Sequence, residues 1–94
     1  MMVVIAKVRA RSPQAAQDMC RIMRHAFELY QAPGWLRGRC VASTSDSEQV
    51  VLIEEWGSRA AFEAWWNSPA RAMYDQAGAP LLVGPYQLEV YEEV

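Results

Sequence analysis

Few residues of this chain can hold a metal. In 94 residues there is one histidine, His25, and two cysteines, Cys20 and Cys40. Zinc sites draw three or four ligands mainly from His and Cys at short spacings, so no metal site is expected. The cysteines form no Cys-x-x-Cys pair and read as reduced, half-buried thiols of a cytoplasmic protein. The opening Met1-Met2-Val3-Val4-Ile5-Ala6-Lys7 has no basic stretch ahead of a long apolar run, so no secretory signal is expected. No apolar run approaches the ~20 residues of a membrane span. A basic surplus is also missing. Nine Lys and Arg face eleven Asp and Glu, for a net charge of −2, which excludes a general nucleic-acid binder. Repeats and low-complexity segments are absent.

What is present is apolar and aromatic. Apolar residues make up 52% of the chain, with four Trp and four Tyr, which excludes a disordered tail. The aromatics must line a core, a pocket or an interface. The length allows one domain, residues 1–94, whose core is marginal alone, so self-association is expected. Charge is unevenly spread. Lys7, Arg9, Arg11, Arg21, Arg24, Arg37 and Arg39 lie in the first half; Glu48, Glu54, Glu55, Glu63, Asp75, Glu89, Glu92 and Glu93 lie in the second. Either a basic patch awaits an anionic ligand, or the halves interleave in one sheet and neutralise each other. The second reading is preferred.

Val3 to Ala10 reads as a strand, apolar in both alternate rows and so covered on both faces. Ser12-Pro13 signals a helix start, with Ser as N-cap and Pro at the first position. Ala15, Met19, Ile22, Met23, Ala26 and Tyr30 then recur at helical spacing, and Pro33-Gly34 ends the helix. Trp35–Ser43 and Val50–Trp56 read as an antiparallel hairpin around the polar Thr44-Ser45-Asp46-Ser47-Glu48, placing Arg37 opposite Glu54 or Glu55. Ser58 caps a short helix with Phe62, Trp65 and Trp66 on one side. Ser68-Pro69 starts another, with Met73, Tyr74 and Ala77 inward and Gly78 as its stop. Ala79–Pro85 reads as a loop and Tyr86–Tyr91 as the last strand. The β-α-β-β-α-β order predicts an α+β, ferredoxin-like fold: a four-stranded antiparallel sheet with its helices on one face. The other face is apolar too, and a second copy packed sheet to sheet would cover it.

From Leu52-Ile53-Glu54-Glu55-Trp56-Gly57-Ser58 through Ala61-Phe62-Glu63-Ala64-Trp65-Trp66-Asn67-Ser68-Pro69 the chain resembles the antibiotic biosynthesis monooxygenase (ABM) family. Pro80-Leu81-Leu82-Val83-Gly84-Pro85, the Val-Ile-Ala-Lys-Val opening and Pro33-Gly34-Trp35-Leu36 extend the likeness. The resemblance implies a dimeric α+β barrel, with a homodimer and a small aromatic ligand as its partners. It also implies one of three chemistries: oxidation of phenols and anthrones to quinones, oxidative haem opening, or processing of a small signalling molecule. Signal-processing members carry His four residues before the Pro of Ser-Pro and another just after it; here Trp65 and Ala70 stand there. Haem-opening members share the Trp, but need an Asn on the first strand and an axial His beyond. The only Asn here is Asn67, and Asp75 or its neighbourhood stands where that His is expected. The quinone-forming branch remains, with no cofactor and molecular oxygen as co-substrate.

Such chemistry needs an apolar pocket, a base or donor for the substrate anion, and exclusion of water. Trp65, Tyr74 and Glu54 are the catalytic candidates. Phe62, Trp66, Met73, Met23, Phe27 and Tyr30 are the candidate walls. Glu54 shares its strand row with Trp56, where low dielectric would raise its pKa, unless Arg37 pairs with it. For most walls an ordinary core role competes. Two adjacent Trp cannot both point fully inward, so one is expected at a cavity mouth or an interface. His25 reads as a surface residue. The competing function is a non-catalytic ligand-binding or dimeric scaffold of the same fold, in which the aromatics interlock and leave little space.

Overall fold

The inward row of the third strand organises the fold. The computed structural model describes residues 1–94. In chain order the elements are β1 (Met2–Ala10), α1 (Pro13–Leu29), β2 (Trp35–Ala42), β3 (Gln49–Trp56), α2 (Arg59–Trp66), α3 (Pro69–Gly78), a single 3-10 turn (Ala79–Leu81) and β4 (Leu82–Glu92). The strands form one antiparallel sheet in the order β2-β3-β1-β4, as the ferredoxin-like reading requires. No helix is long and apolar enough to cross a membrane.

Strand pleating sends alternate side chains to opposite faces. On the helical face this buries Met2, Val4, Ala6, Val8 and Ala10 of β1 and Val50, Leu52, Glu54 and Trp56 of β3. The helix starts follow the three serines. Ser12, Ser58 and Ser68 each accept, through Oγ, the backbone N–H three residues on, at 3.0, 3.1 and 3.1 Å. Each cap satisfies one of the donors that a helix start leaves free. Helix α1 lays Ala15, Ala16, Met19, Met23, Ala26 and Phe27 on the sheet. Trp35 packs against both this cluster and a second one built from Met2, Val4, Trp56 and Phe62.

The charge halves do interleave. Lys7 meets Glu89 at 2.9 Å and Arg9 meets Glu48 at 3.0 Å, with Asp46 also on Arg9. Arg37 lies opposite Glu55 in the register and Nη2 donates to its Oε1 at 3.1 Å. These exposed pairs set register more than they add stability. They ring the outer face of the sheet, whose centre is Val3, Ile5, Val51 and Ile53.

Four expectations need correction. Ile22 is 41% exposed, on the shoulder of the α1 stripe and outside the core. The inward row of α3 is Arg71, Tyr74, Asp75 and Gly78, so Met73 (71% exposed) and Ala77 face solvent. Gly78 does not stop α3 in a left-handed turn. It stays helical at φ −84° and is buried, and an added Cβ would lie 3.4 Å from Met19 Sδ and Cε. The small residue lets α3 approach α1. Finally, β4 begins at Leu82 and runs through Pro85. A register shift opposite Val8 absorbs the extra residues, and an edge strand tolerates a missing N–H.

Gly38, on the inward face of β2, has no such freedom of size. An added Cβ would sit 2.6 Å from Trp35 Cη2 and 2.9 Å from Phe27 Cδ2. Those rings are stacked at 5.2 Å between centroids, so neither can withdraw without disturbing the other. Gly38→Ala is expected to lose about 1–3 kcal/mol by overpacking, read from urea denaturation. A fully stable variant would mean that the Phe27–Trp35 stack is loose.

Candidate functional site

Beneath the helices lies a small polar cluster in an aromatic shell. Glu54 is held there because β3 has only two faces, and its row is the buried one. Its side chain is 6% exposed, and the Trp56 indole Nε1–H donates to Oε1 at 3.0 Å. Burial pushes the Glu54 carboxyl above its ordinary range; the Trp56 hydrogen bond and the positive charge of Arg71 oppose that shift. Arg37, the sequence's rival partner for Glu54, is on the other face with Glu55.

Arg71 comes from the first turn of α3, three residues past its Ser68 cap. Its guanidinium carbon is 3.4 Å from the centre of the Trp66 ring and 5.9 Å from that of Tyr86. Nη1 lies 2.8 Å from Asp75 Oδ2, one helical turn on. Only 17% of the Arg71 side chain is exposed, so most of its charge is compensated by a ring face and one carboxylate rather than by water. Burial pushes Asp75 up, with Arg71 opposing. Tyr86 is pushed up to about 12, by burial first and then by the charge of Asp75. Tyr30 is likewise held above its ordinary range, by burial first and then by Glu54.

Two spaces adjoin this cluster. The inner one is bounded by Glu54, Arg71, Asp75 and Tyr86, with Met23, Leu52 and Trp66, and has a volume of ≈ 20 Å³. That is room for about one water. The outer one is a groove of ≈ 690 Å³ between the Leu29–Gly34 segment and helices α2 and α3. It exists because the facing residues are small: Gly34, Ala61, Ala64, Ser68 and Ala70. Tyr30, Trp65 and Tyr74 line both spaces and form the wall between them. Their rings are in mutual contact, at 4.5 Å for Tyr30–Trp65, 5.0 Å for Tyr30–Tyr74 and 6.0 Å for Trp65–Tyr74.

Of the sequence candidates, the structure brings together Glu54, Trp65, Trp66, Tyr74, Tyr30 and Met23. Three proposed walls do not line either space. Phe62 and Phe27 are buried in the core clusters, where Phe62 meets Trp56 edge to face and Phe27 stacks on Trp35. Met73 points away, because the inward row of α3 is one residue out of phase with the expected one. His25 is exposed on α1. The sequence reading missed Arg71 and Tyr86 as site residues. A signal for Arg71 was there: if Tyr74 faces inward, the helical period brings residue 71 in with it. Tyr86 was read as the first residue of a strand, with no face assigned.

The burial of Glu54 fixes a sign. Its carboxyl binds a proton more tightly folded than unfolded. Ionising it therefore removes stability as pH rises from the ordinary value near 4.5 through the raised folded one. Glu54→Gln keeps an acceptor for the Trp56 indole and has no charge to bury. It is expected to be more stable than wild type at pH 7. That advantage should shrink to nothing as the pH falls to about 4, measured by thermal unfolding across the range. A variant less stable than wild type at pH 7 would mean that Arg71 outweighs the burial.

The family model described as antibiotic biosynthesis monooxygenase matches residues 1–74. No curated protein matches the chain in sequence. Among solved structures, a Nitrosomonas europaea protein named for the same family superposes with TM-score 0.80 at 19% identity, over 100% of this chain and 99% of that one. A monooxygenase from the ActVA-Orf6 gene of Streptomyces coelicolor, solved with nanaomycin D, gives TM-score 0.81 at 21% identity, over 99% and 87% of the two chains. SnoaB of Streptomyces nogalater, a cofactor-independent oxygenase, gives 0.76 at 14% identity, over 99% and 92%. At such identities the likeness is one of fold.

Proposed function

The chain belongs to the antibiotic biosynthesis monooxygenase family, and from that membership we propose that it is a cofactor-independent monooxygenase oxidising a small phenol or anthrone to a quinone. One observation carries the reading: the aromatic wall of Tyr30, Trp65 and Tyr74 separates a ligand-sized groove from a buried carboxylate and a buried guanidinium. The groove volume falls within the ~300–1,000 Å³ of small-molecule sites. Its Trp and Tyr faces suit a flat ring. The family membership and the fold shared with oxygenases, one of them solved with nanaomycin D, support the same reading.

The chemistry divides between two groups. A substrate carbon or oxygen acid gives its proton to the Glu54 carboxylate. Deep burial makes that carboxylate a stronger base than an exposed one. Arg71 holds the resulting anion in place of water. The anion passes one electron to dioxygen, and the two radicals join in a carbon–oxygen bond. Loss of water from that peroxide breaks the oxygen–oxygen bond and leaves the quinone carbonyl. An anthrone and dioxygen thus give an anthraquinone and water. For substrate to reach Glu54 the aromatic wall must part. Tyr74 is the member best placed to move, because its helix is exposed along the opposite face.

The test is oxygen consumption with an anthrone. Uptake is expected in the wild type and should be lost in Trp65→Ala. Glu54→Gln should reduce kcat by about 10²-fold or more, while Arg71→Ala should chiefly raise KM. The near-absence of inner space favours a second reading, a non-catalytic scaffold whose aromatics interlock. No uptake across anthrones, quinols and simple phenols would select it.

The same reading includes a homodimer. The outer face of the sheet carries Val3, Ile5, Val51 and Ile53 half-buried and Val41 exposed, ringed by paired charges. A two-fold pairing would cover that apolar centre and leave the ring as a polar rim. Light scattering is expected to give twice the chain mass, and Ile53→Asp a folded monomer. A wild type of single-chain mass at high concentration would end the dimer proposal.

A further inference from the structure

Two thiols from different elements meet inside the protein. Cys20 lies on α1, beside the buried Met19, and Cys40 lies on the inner face of β2, opposite Leu52. Their Sγ atoms are 3.2 Å apart. Both are free and half-buried. A link between them would join the helix that supplies Met23 to the candidate site and the strand paired with β3. Cys20, Cys40 and Tyr86 all pack against the same core cluster of α1 and the sheet.

We propose that Cys20 and Cys40 form an oxidisable pair, closed by a peroxide into an intrachain disulfide that tethers α1 to β2. A disulfide holds its sulfurs at about 2.05 Å, so closure asks for a shift on the order of 1 Å from the present contact. The reaction balances with the peroxide as sole oxidant. One thiol attacks a peroxide oxygen, breaks the oxygen–oxygen bond and becomes a sulfenic acid with loss of water. The second sulfur then attacks the sulfenic sulfur and releases another water. Two thiols and one hydrogen peroxide give one disulfide and two waters; each sulfur contributes one of the two electrons.

The setting makes Cys40 a poor first nucleophile. Burial, and then the hydrogen bond to Cys20, hold the Cys40 thiol well above its ordinary range, with Arg24 the opposing charge. Little Cys40 thiolate is present at neutral pH, which suits Cys40 to the second step, attack on a sulfenic acid at Cys20. The tether follows from connectivity. The two residues lie in elements joined by the Tyr30–Gly34 segment, and a cross-link closes that loop in the unfolded chain as well as in the folded one. The inference stands independently of the proposed oxygenase activity.

Full-length protein treated with hydrogen peroxide tests it. Trypsin cuts after Arg11, Arg21, Arg39 and Arg59, which places the two cysteines on separate peptides. The expected product is those two peptides joined, two hydrogens lighter than their sum and separated by dithiothreitol. Both thiols should disappear together. Tm should rise by roughly 10 °C, a shift absent in Cys20→Ser and Cys40→Ser and reversed on reduction. Three results would overturn the proposal. They are interchain dimers as the main product, a sulfinic acid on one cysteine with the other still free, and a joined pair that leaves Tm unchanged.

Discussion

A carboxylate and an indole stand two residues apart on one face of a buried strand, and the pleat leaves them no other direction to point. Glu54 and Trp56 of β3 share the inward row with Val50 and Leu52. Once that row is fixed by burial of its apolar members, the charge of Glu54 is carried into the interior with it. A one-residue slip would free Glu54 but would expose Trp56, the largest fully buried side chain. The hydrophobic gain from Val50, Leu52 and Trp56 therefore holds a carboxyl where it is poorly solvated. The remainder of the site answers that constraint: an indole N–H as hydrogen-bond donor, an arginine within electrostatic range, and a shell of rings.

The same row explains why much of the fold was legible. Alternation along β1 and β3, three Ser caps and the 3.6-residue stripe of α1 are local signals, each enforced by steric or hydrogen-bonding rules that act over a few residues. The cross-strand pairing of Arg37 was legible to within one position, and the face parity decided it for Glu55. Where reading failed, the deciding contacts were distant. The phase of α3 is set by Gly78 against Met19 of α1 and by Arg71 against Trp66, not by the hydrophobicity of Met73. The start of β4 is set by pairing with Arg9 and Ala10, which outweighs two prolines on an edge. Phe62 lies on the face the sequence assigned to it, and Phe27, outside the expected stripe of α1, is buried as well. Whether such residues border space or other rings depends on the sizes of neighbours across the interface.

Arg71 and Asp75 illustrate a different limit. With Met73, Tyr74 and Ala77 as the expected inward row both fall outside it, and as a pair one turn apart they resemble any surface ion pair. What distinguishes them is the plane of Trp66 beneath the guanidinium and the neighbouring Tyr86. Both depend on how α2 and α3 fold back on the sheet. A cation stacked on a ring keeps its charge while shedding water. The cluster therefore combines a largely buried cation with a buried carboxyl and a partly exposed one, and burial raises both carboxyls.

The division between a filled interior and an open groove is written along α2. Its large residues, Phe62, Trp65 and Trp66, turn toward the sheet, where they fill the space and leave only ≈ 20 Å³. Its small residues, Ala61 and Ala64, turn toward the Leu29–Gly34 segment, where they leave ≈ 690 Å³. Trp65 sits on the boundary and is half-buried for that reason. Side-chain volume on one eight-residue helix thus builds a narrow polar pocket and an apolar groove back to back. A ring lying in the groove would rest on the aromatic wall of Tyr30, Trp65 and Tyr74. An arrangement with large residues on both sides would have closed the groove, and one with small residues on both sides would have flooded Glu54 with water and relaxed its pKa. The alternation of sizes is what sets an apolar groove and a buried carboxyl on opposite sides of one aromatic wall.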